Sequence, residues 1–137
     1  LHVSLTHRDD EVLDAADVLT KLLIRVCQGE DLRTAILEHS NGWISAAKIR
    51  DWDRHPDDVV VGQLLSSACY IPDAFPAALF LAWRHAGDFA AGVCANAQVG
   101  GDNCHRGTVV GSLLGASSPI SSRFVEGLQA ASRVAGI

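Results

Sequence analysis

Asn96-Ala97-Gln98-Val99-Gly100-Gly101-Asp102-Asn103-Cys104-His105-Arg106-Gly107 leaves one helix and enters another. The paired glycines permit φ > 0 and line up successive backbone N–H groups, which predicts a sharp turn with a small anion-binding concavity. Asp102 falls where a helix N-cap belongs, its carboxylate beside the positive end of a helix opening near Asn103. Cys104, His105 and Arg106 follow at once, so a carboxylate, a thiol, an imidazole and a guanidinium crowd one helix start. Gly107, Gly111 and Gly115 then recur every fourth residue. Each costs about 1 kcal/mol of helix propensity against Ala, so a helix carrying them has either a packing reason or a ligand reason. Two readings stay open at this point: a plain helical corner capped by Asp102, and a turn built around a ligand.

On either side of this stretch the pattern is helical. Upstream, Asp88 is placed to cap a helix running through Gly92 and Cys94 to Asn96. Before it, a helix is predicted from near Pro76, a residue suited to a first helical position, through Leu79, Phe80 and Trp83 to Ala86. Phe80 and Trp83 are read as core. Another helix is expected from about Asp58 through Leu64, Leu65 and Cys69, with Ile71-Pro72 ending it. Downstream, the glycine-rich helix extends to about Gly115. Ser117-Ser118-Pro119 breaks it, and Ser118 or Ser121 caps a last helix to about Val134.

The N-terminal part follows the same rule. Val12, Ala16, Leu19, Leu23 and Val26 set a helical period over 9–28, with Thr6 as N-cap, Asp9 completing a partial capping box, and Gly29 as the stop. His7 is read as solvated. Asp31 opens a helix whose face is Leu32, Ala35, Ile36 and His39, and Asn41-Gly42 ends it in a left-handed turn. Trp43 to about Arg50 reads as a short helix. Asp51 to Asp58, interrupted by His55-Pro56, reads as a surface loop. Its carboxylates are oxygen donors of the kind divalent cations take, but the spacing lacks the glycine of a calcium loop. The expected architecture is all-α, a compact multi-helix orthogonal array, with residues 1–137 as one domain or as the C-terminal part of a larger one.

Bulk properties narrow the function classes. The chain has 137 residues, 48% hydrophobic and 20% charged, with net charge −5. An acidic balance without a basic run argues against nucleic acid and anionic membrane surfaces as partners. No stretch approaches the ~18 apolar residues of a spanning helix. Cys27, Cys69, Cys94 and Cys104 form no C-x-x-C pair, so reduced thiols and an intracellular, cytoplasmic setting are expected. The start, Leu1-His2-Val3-Ser4, shows neither an initiator Met nor a signal-peptide pattern, and no Met occurs anywhere. The expectation is therefore a piece of something longer.

The central stretch resembles a known family. Gly100-Gly101-Asp102-Asn103-Cys104-His105-Arg106-Gly107, with Gly111 and Gly115-Ala116, is similar to the C-terminal signature of the ADP-ribosylglycohydrolase (crystallin J1-related) family. That signature runs Gly-Gly-Asp-x-Asp-Thr, then small residues and Gly-Ala. Thr6-His7 before an acidic helix start, and Gly29-Glu30-Asp31-Leu32, also resemble that family's preceding helices. The likeness spans nearly the whole chain and corresponds to the C-terminal half of a family member.

The resemblance implies hydrolysis of a glycosidic bond to ADP-ribose, assisted by a pair of Mg²⁺ ions that carboxylates hold. Carried over residue by residue, the first aspartate of the signature falls on Asp102, the candidate catalytic residue and metal ligand. Gly100, Gly101, Asn103 and His105 become candidate ligand-binding residues. The second aspartate falls on Cys104, a candidate metal position, and the threonine on His105. Thiolate and imidazole favour softer ions than Mg²⁺. The family's Thr-Asp-Asp segment has no counterpart, since Asp9-Asp10 and Asp57-Asp58 lack its context. The expected partners are thus ADP-ribose or an ADP-ribosylated substrate, and an N-terminal half or second chain that completes the site. Three alternatives accompany this reading. They are a relative that binds ADP-ribose without cleaving it, a structural crystallin-like relative, and a site built on Cys104 as nucleophile or on Cys94, Cys104 and His105 as zinc ligands.

Overall fold

A computed structural model describes residues 2–134. Helix α1 (Asp10–Cys27) forms because Ala15, Val18, Leu22 and Val26 recur at helical spacing and bury one face. Its cap is Asp9, whose carboxylate accepts the Glu11 and Val12 N–H groups at 3.0 and 3.1 Å. Thr6, the expected cap, instead closes a 3₁₀ turn over Val3–Leu5 and donates its hydroxyl to the Val3 carbonyl. His7 is exposed, as expected. Helix α2 (Leu32–His39) starts at Asp31, which accepts from Thr34 N–H. The chain then reverses through Asn41 and Gly42, both at positive φ. Helix α3 (Ala46–Trp52) begins after a Ser45 cap, three residues later than Trp43 suggests. Trp43 packs edge-on against Phe75 and donates its indole N–H to Asp14.

Between 51 and 72 the structure departs most from the sequence pattern. The stretch from Asp51 is not a loop throughout: α3 runs to Trp52, which is buried edge-on to Phe80. A short α4 (Asp57–Val59) opens after Pro56 and continues as a π-helical turn over Val60–Leu64. No helix reaches Cys69; residues 65–70 are irregular. Ile71-Pro72 opens the next helix rather than ending one. Pro72 lies in the first turn of α5 (Ile71–Arg84), where a missing N–H leaves no bond unmade. Pro76 lies inside this helix and forgoes the bond back to residue 72. The helix persists because Phe75 to Ala82 are all buried.

Helix α6 (Phe89–Gln98) is capped by Asp88 as expected, through Ala91 N–H at 2.9 Å. Helix α7 (Asn103–Ser117) is the central element and packs on α5, α6 and α1. Its contact with α6 depends on Gly92, where a Cβ would stand 2.2 Å from Leu114 Cδ1. The α7 glycines do not act as one stripe. A Cβ on residue 107 would crowd Asn96 Nδ2 at 2.8 Å, while one on Gly111 meets nothing within 4 Å. The last expected helix is two short ones, α8 (Ser122–Glu126) and α9 (Ala131–Val134).

The core joins Leu22, Ile36, Val60, Val61, Phe80, Val110 and Leu113 from α1, α2, the π turn, α5 and α7, all fully buried. Burial of this kind contributes roughly 1.5–3 kcal/mol per large side chain. Phe80 is core as expected, and Trp83 packs partly buried against it beneath the Arg33 guanidinium. The fold is all-α, with no strand among the described residues. Among them, no helix is long and apolar enough to cross a membrane. All four cysteines are free.

Candidate functional site

The turn between α6 and α7 is built from two consecutive left-handed residues, Gly100 at φ 70° and Gly101 at φ 66°. It is pinned from outside its own helices: Asp102 N–H donates to the Ser67 carbonyl at 2.9 Å, tying it to the irregular segment before α5. That approach leaves no room for a side chain at 101, since a Cβ would lie 2.3 Å from the Ser67 oxygen. Asn103 N–H closes back on the Gly101 carbonyl at 2.9 Å.

Asp102 holds the N-cap position of α7 but makes no capping hydrogen bond, which corrects the sequence expectation. Its ψ of 69° differs from the 129° and 132° of Asp9 and Asp31, which do cap. The carboxylate turns instead to His105, whose Nδ1 lies 2.8 and 3.0 Å from its two oxygens. An ionised carboxylate only accepts, so Nδ1 carries the hydrogen and Nε2 is left as the acceptor of the neutral ring. The imidazole is 82% exposed and the Asp102 side chain 28%. The His105 ring holds the Asp102 carboxyl below its ordinary range, against the upward push of partial burial, with smaller contributions from the His105 backbone N–H and then the Cys69 thiol. The pair can therefore hold a negative charge and exchange a proton at one surface.

The other candidates part company. Asn103 sits on the same turn, partly buried, and its backbone carbonyl accepts from Asn96 Nδ2 at 2.9 Å. Cys104 is exposed, with its Sγ 3.8 Å from Asn103 Oδ1. Asp102 is thus paired with His105, three residues on. One group of three His/Cys/Asp/Glu side chains has ligand atoms all within 4.8 Å among the described residues: Glu30 of the α1–α2 turn with Glu38 and His39 at the end of α2. It could hold a metal ion, but it contains neither Asp102, Cys94, Cys104 nor His105. The acidic stretch 51–58 is likewise engaged elsewhere, because Asp57 accepts from Arg84 Nη1 at 2.7 Å and His85 Nε2 at 2.9 Å. At the glycine turn the donors are one carboxylate, one thiol and one imidazole. That set does not fit a Mg²⁺ pair, which takes oxygen ligands.

Arg106 and Asn96, both named in the sequence reading but given no role there, organise the turn from beneath. Arg106 is buried, and it donates from Nε to Asn96 Oδ1 at 2.7 Å and from Nη2 to the Gly100 carbonyl at 2.6 Å. The available signal was electrostatic. A cation in the first turn of a helix opposes the macrodipole, so it needs another reason to be there.

The central helix of this all-α fold opens on a double-glycine turn with the Asp102 carboxylate and the His105 ring beside it. The chain belongs to the ADP-ribosylglycohydrolase family, whose profile matches residues 1–135. The match takes in both the glycine turn and the acidic start of α1, and it supports a hydrolase-like function at the level of the family. No curated protein and no solved structure matches the chain significantly.

Proposed function

We propose that this chain acts on the ADP-ribosyl group, binding it at the Gly100–Asn103 turn and hydrolysing its glycosidic bond. The observation that carries the proposal is the Asp102–His105 pair on a double-glycine turn, in a chain of this family. The positive end of the α7 dipole suits the oxygens of a diphosphate or ribose, although the Asp102 and Asn103 N–H groups are already bonded to the Ser67 and Gly101 carbonyls. Asp102 fixes the His105 ring, and Nε2 then accepts a proton from a water molecule as that water's oxygen bonds to the anomeric carbon. The glycosidic bond breaks with its electron pair going to the leaving group, which takes up a proton from solvent, while His105 gives the water's proton back to solvent.

A divalent ion enters this proposal with Asp102 as one ligand and with the rest of its ligands outside the turn, since the turn alone does not fit a Mg²⁺ pair. Asp102 offers one oxygen site, and the remaining donors come from an N-terminal segment or a second chain. Metal-bound, the group would orient ribose hydroxyls. A second reading, binding without cleavage, is favoured by Cys104 and His105 standing where the family signature has Asp and Thr. Calorimetry with ADP-ribose, beside an assay for ADP-ribose released from an ADP-ribosylated peptide, separates them. Heat with product supports hydrolysis, heat without product supports the binder, and neither leaves a crystallin-like structural role.

A further inference from the structure

Arg106 is only 2% exposed, and three features of its setting work against stability. It is a cation in the first turn of α7, opposed by the helix macrodipole. Burial disfavours its charged form, and the Asp102 charge offsets this only in part. Its Nη1 is buried without a hydrogen-bond partner, and no carboxylate stands within ion-pair distance among the described residues. Side chains that break local rules in this way mark places where structure serves something other than stability.

What the guanidinium does hold is specific. Nε donates to Asn96 Oδ1 at 2.7 Å, while Nη2 donates to the Gly100 carbonyl at 2.6 Å and the Asn96 carbonyl at 3.3 Å. Asn96 passes the constraint on, donating from Nδ2 to the Asn103 carbonyl at 2.9 Å. Gly107 makes room for that amide. One buried fork thus fixes the end of α6, the first glycine of the turn and the first residue of α7. Arg106 also lines, with His105, a cavity of about 110 Å³. The fork therefore lies directly behind the exposed imidazole.

We infer that Arg106, held by Asn96, is a positioning residue for the glycine turn, setting the backbone from Gly100 to Asn103 so that Asp102 and His105 face a ligand. It does not touch that ligand. The identity of the ligand rests on the ADP-ribose reading; the control of turn geometry does not.

The test compares the wild-type chain with Arg106→Lys and with the double variant Asn96→Leu/Arg106→Leu. Lysine keeps the charge but cannot bridge Asn96 and Gly100 as a planar fork. The double variant removes both side-chain polar groups together and leaves the Gly100, residue-96 and Asn103 carbonyls without these donors. Three quantities are read: ADP-ribose affinity by calorimetry, the urea midpoint, and amide hydrogen exchange at Gly101, Asp102 and Asn103. Both variants are expected to lose about tenfold or more in affinity. Their turn amides should exchange about tenfold faster or more, with Leu113 and Leu114 unchanged. The changes in affinity and turn exchange should exceed what any shift in the urea midpoint accounts for. Affinity that merely follows the urea midpoint, or wild-type affinity and turn exchange in a folded variant, overturns the inference. If only one variant folds, that one decides. If the wild-type chain does not bind ADP-ribose, the functional reading falls, and exchange at the turn still decides the role of Arg106.

Discussion

Asp102 stands at the N-cap of α7, yet its carboxylate bonds the ring of His105 rather than the helix backbone. Asp9 occupies the same position on α1 and does cap it. Alanine at the two sites should therefore have opposite effects. Asp9→Ala is expected to cost about 1 kcal/mol, roughly 3–5 °C in Tm for a domain of this size, with turnover retained. Asp102→Ala should leave the melting point nearly unchanged and abolish turnover. Thermal melts beside a turnover assay check this; equal destabilisation at both sites would mean that Asp102 is a structural cap after all.

Gly100 and Gly101 share a left-handed backbone but not a setting. A Cβ at 100 meets nothing within 4 Å, whereas one at 101 would stand 2.3 Å from the Ser67 carbonyl oxygen. Gly100→Asn should be tolerated within about 1 kcal/mol, since Asn accepts positive φ. Gly101→Ala should cost about 2–4 kcal/mol, strain and displaced backbone together. Urea denaturation of the two variants gives the comparison directly. Similar midpoints would show that Ser67 moves aside freely.

The interior of this fold was legible in the sequence wherever side-chain period and capping chemistry agree. Asp31 and Asp88 cap as expected, Asn41-Gly42 turns left-handed, and Val26 falls on the buried face of α1, although that face centres on Ala15, Val18 and Leu22 rather than on Val12, Ala16, Leu19 and Leu23. The failures have physical causes. Pro72 reads as a stop only if a helix precedes it; placed in a first turn, it opens one. The π turn at Val60–Leu64 replaces an α-helical continuation that the apolar pattern alone cannot distinguish from it. At the site, the glycine turn and Asp102 were visible as neighbours in sequence. Ser67 and Cys69 were not, because their approach to Asp102 crosses more than thirty residues of chain. Arg106 was visible as one of the groups crowding the start of α7, and only its partners reveal that it is interior.

Asp57 links the acidic stretch to α5, accepting from Arg84 and His85. Burial pushes its carboxyl upward, but the His85 and Arg84 hydrogen bonds outweigh that push and leave it below the ordinary 3.8. A carboxyl lowered in the folded state stabilises above its unfolded value, and the contribution fades as pH falls through the folded one. Asp31, lowered chiefly by the Thr34 N–H, adds in the same direction. Stability from these groups should be flat from about pH 5 to 7 and fall below about pH 4. Asp57→Ala should cost about 1–3 kcal/mol at pH 7, since it removes the closest carboxylate from a partly buried Arg84, which keeps only Asp53 and the Trp52 carbonyl. Its effect should shrink toward pH 2. Urea melts across that range test the sign: a penalty that grows in acid would contradict the linkage.

The most direct test of the functional account is calorimetric titration of ADP-ribose into the wild-type chain and Asp102→Ala, each with and without Mg²⁺. The account predicts saturable binding by the wild type and at least about a tenfold loss in the variant, with both proteins equally folded by circular dichroism. Indistinguishable affinities in the two proteins, or no binding by either, would contradict the assignment of the ligand site to this turn.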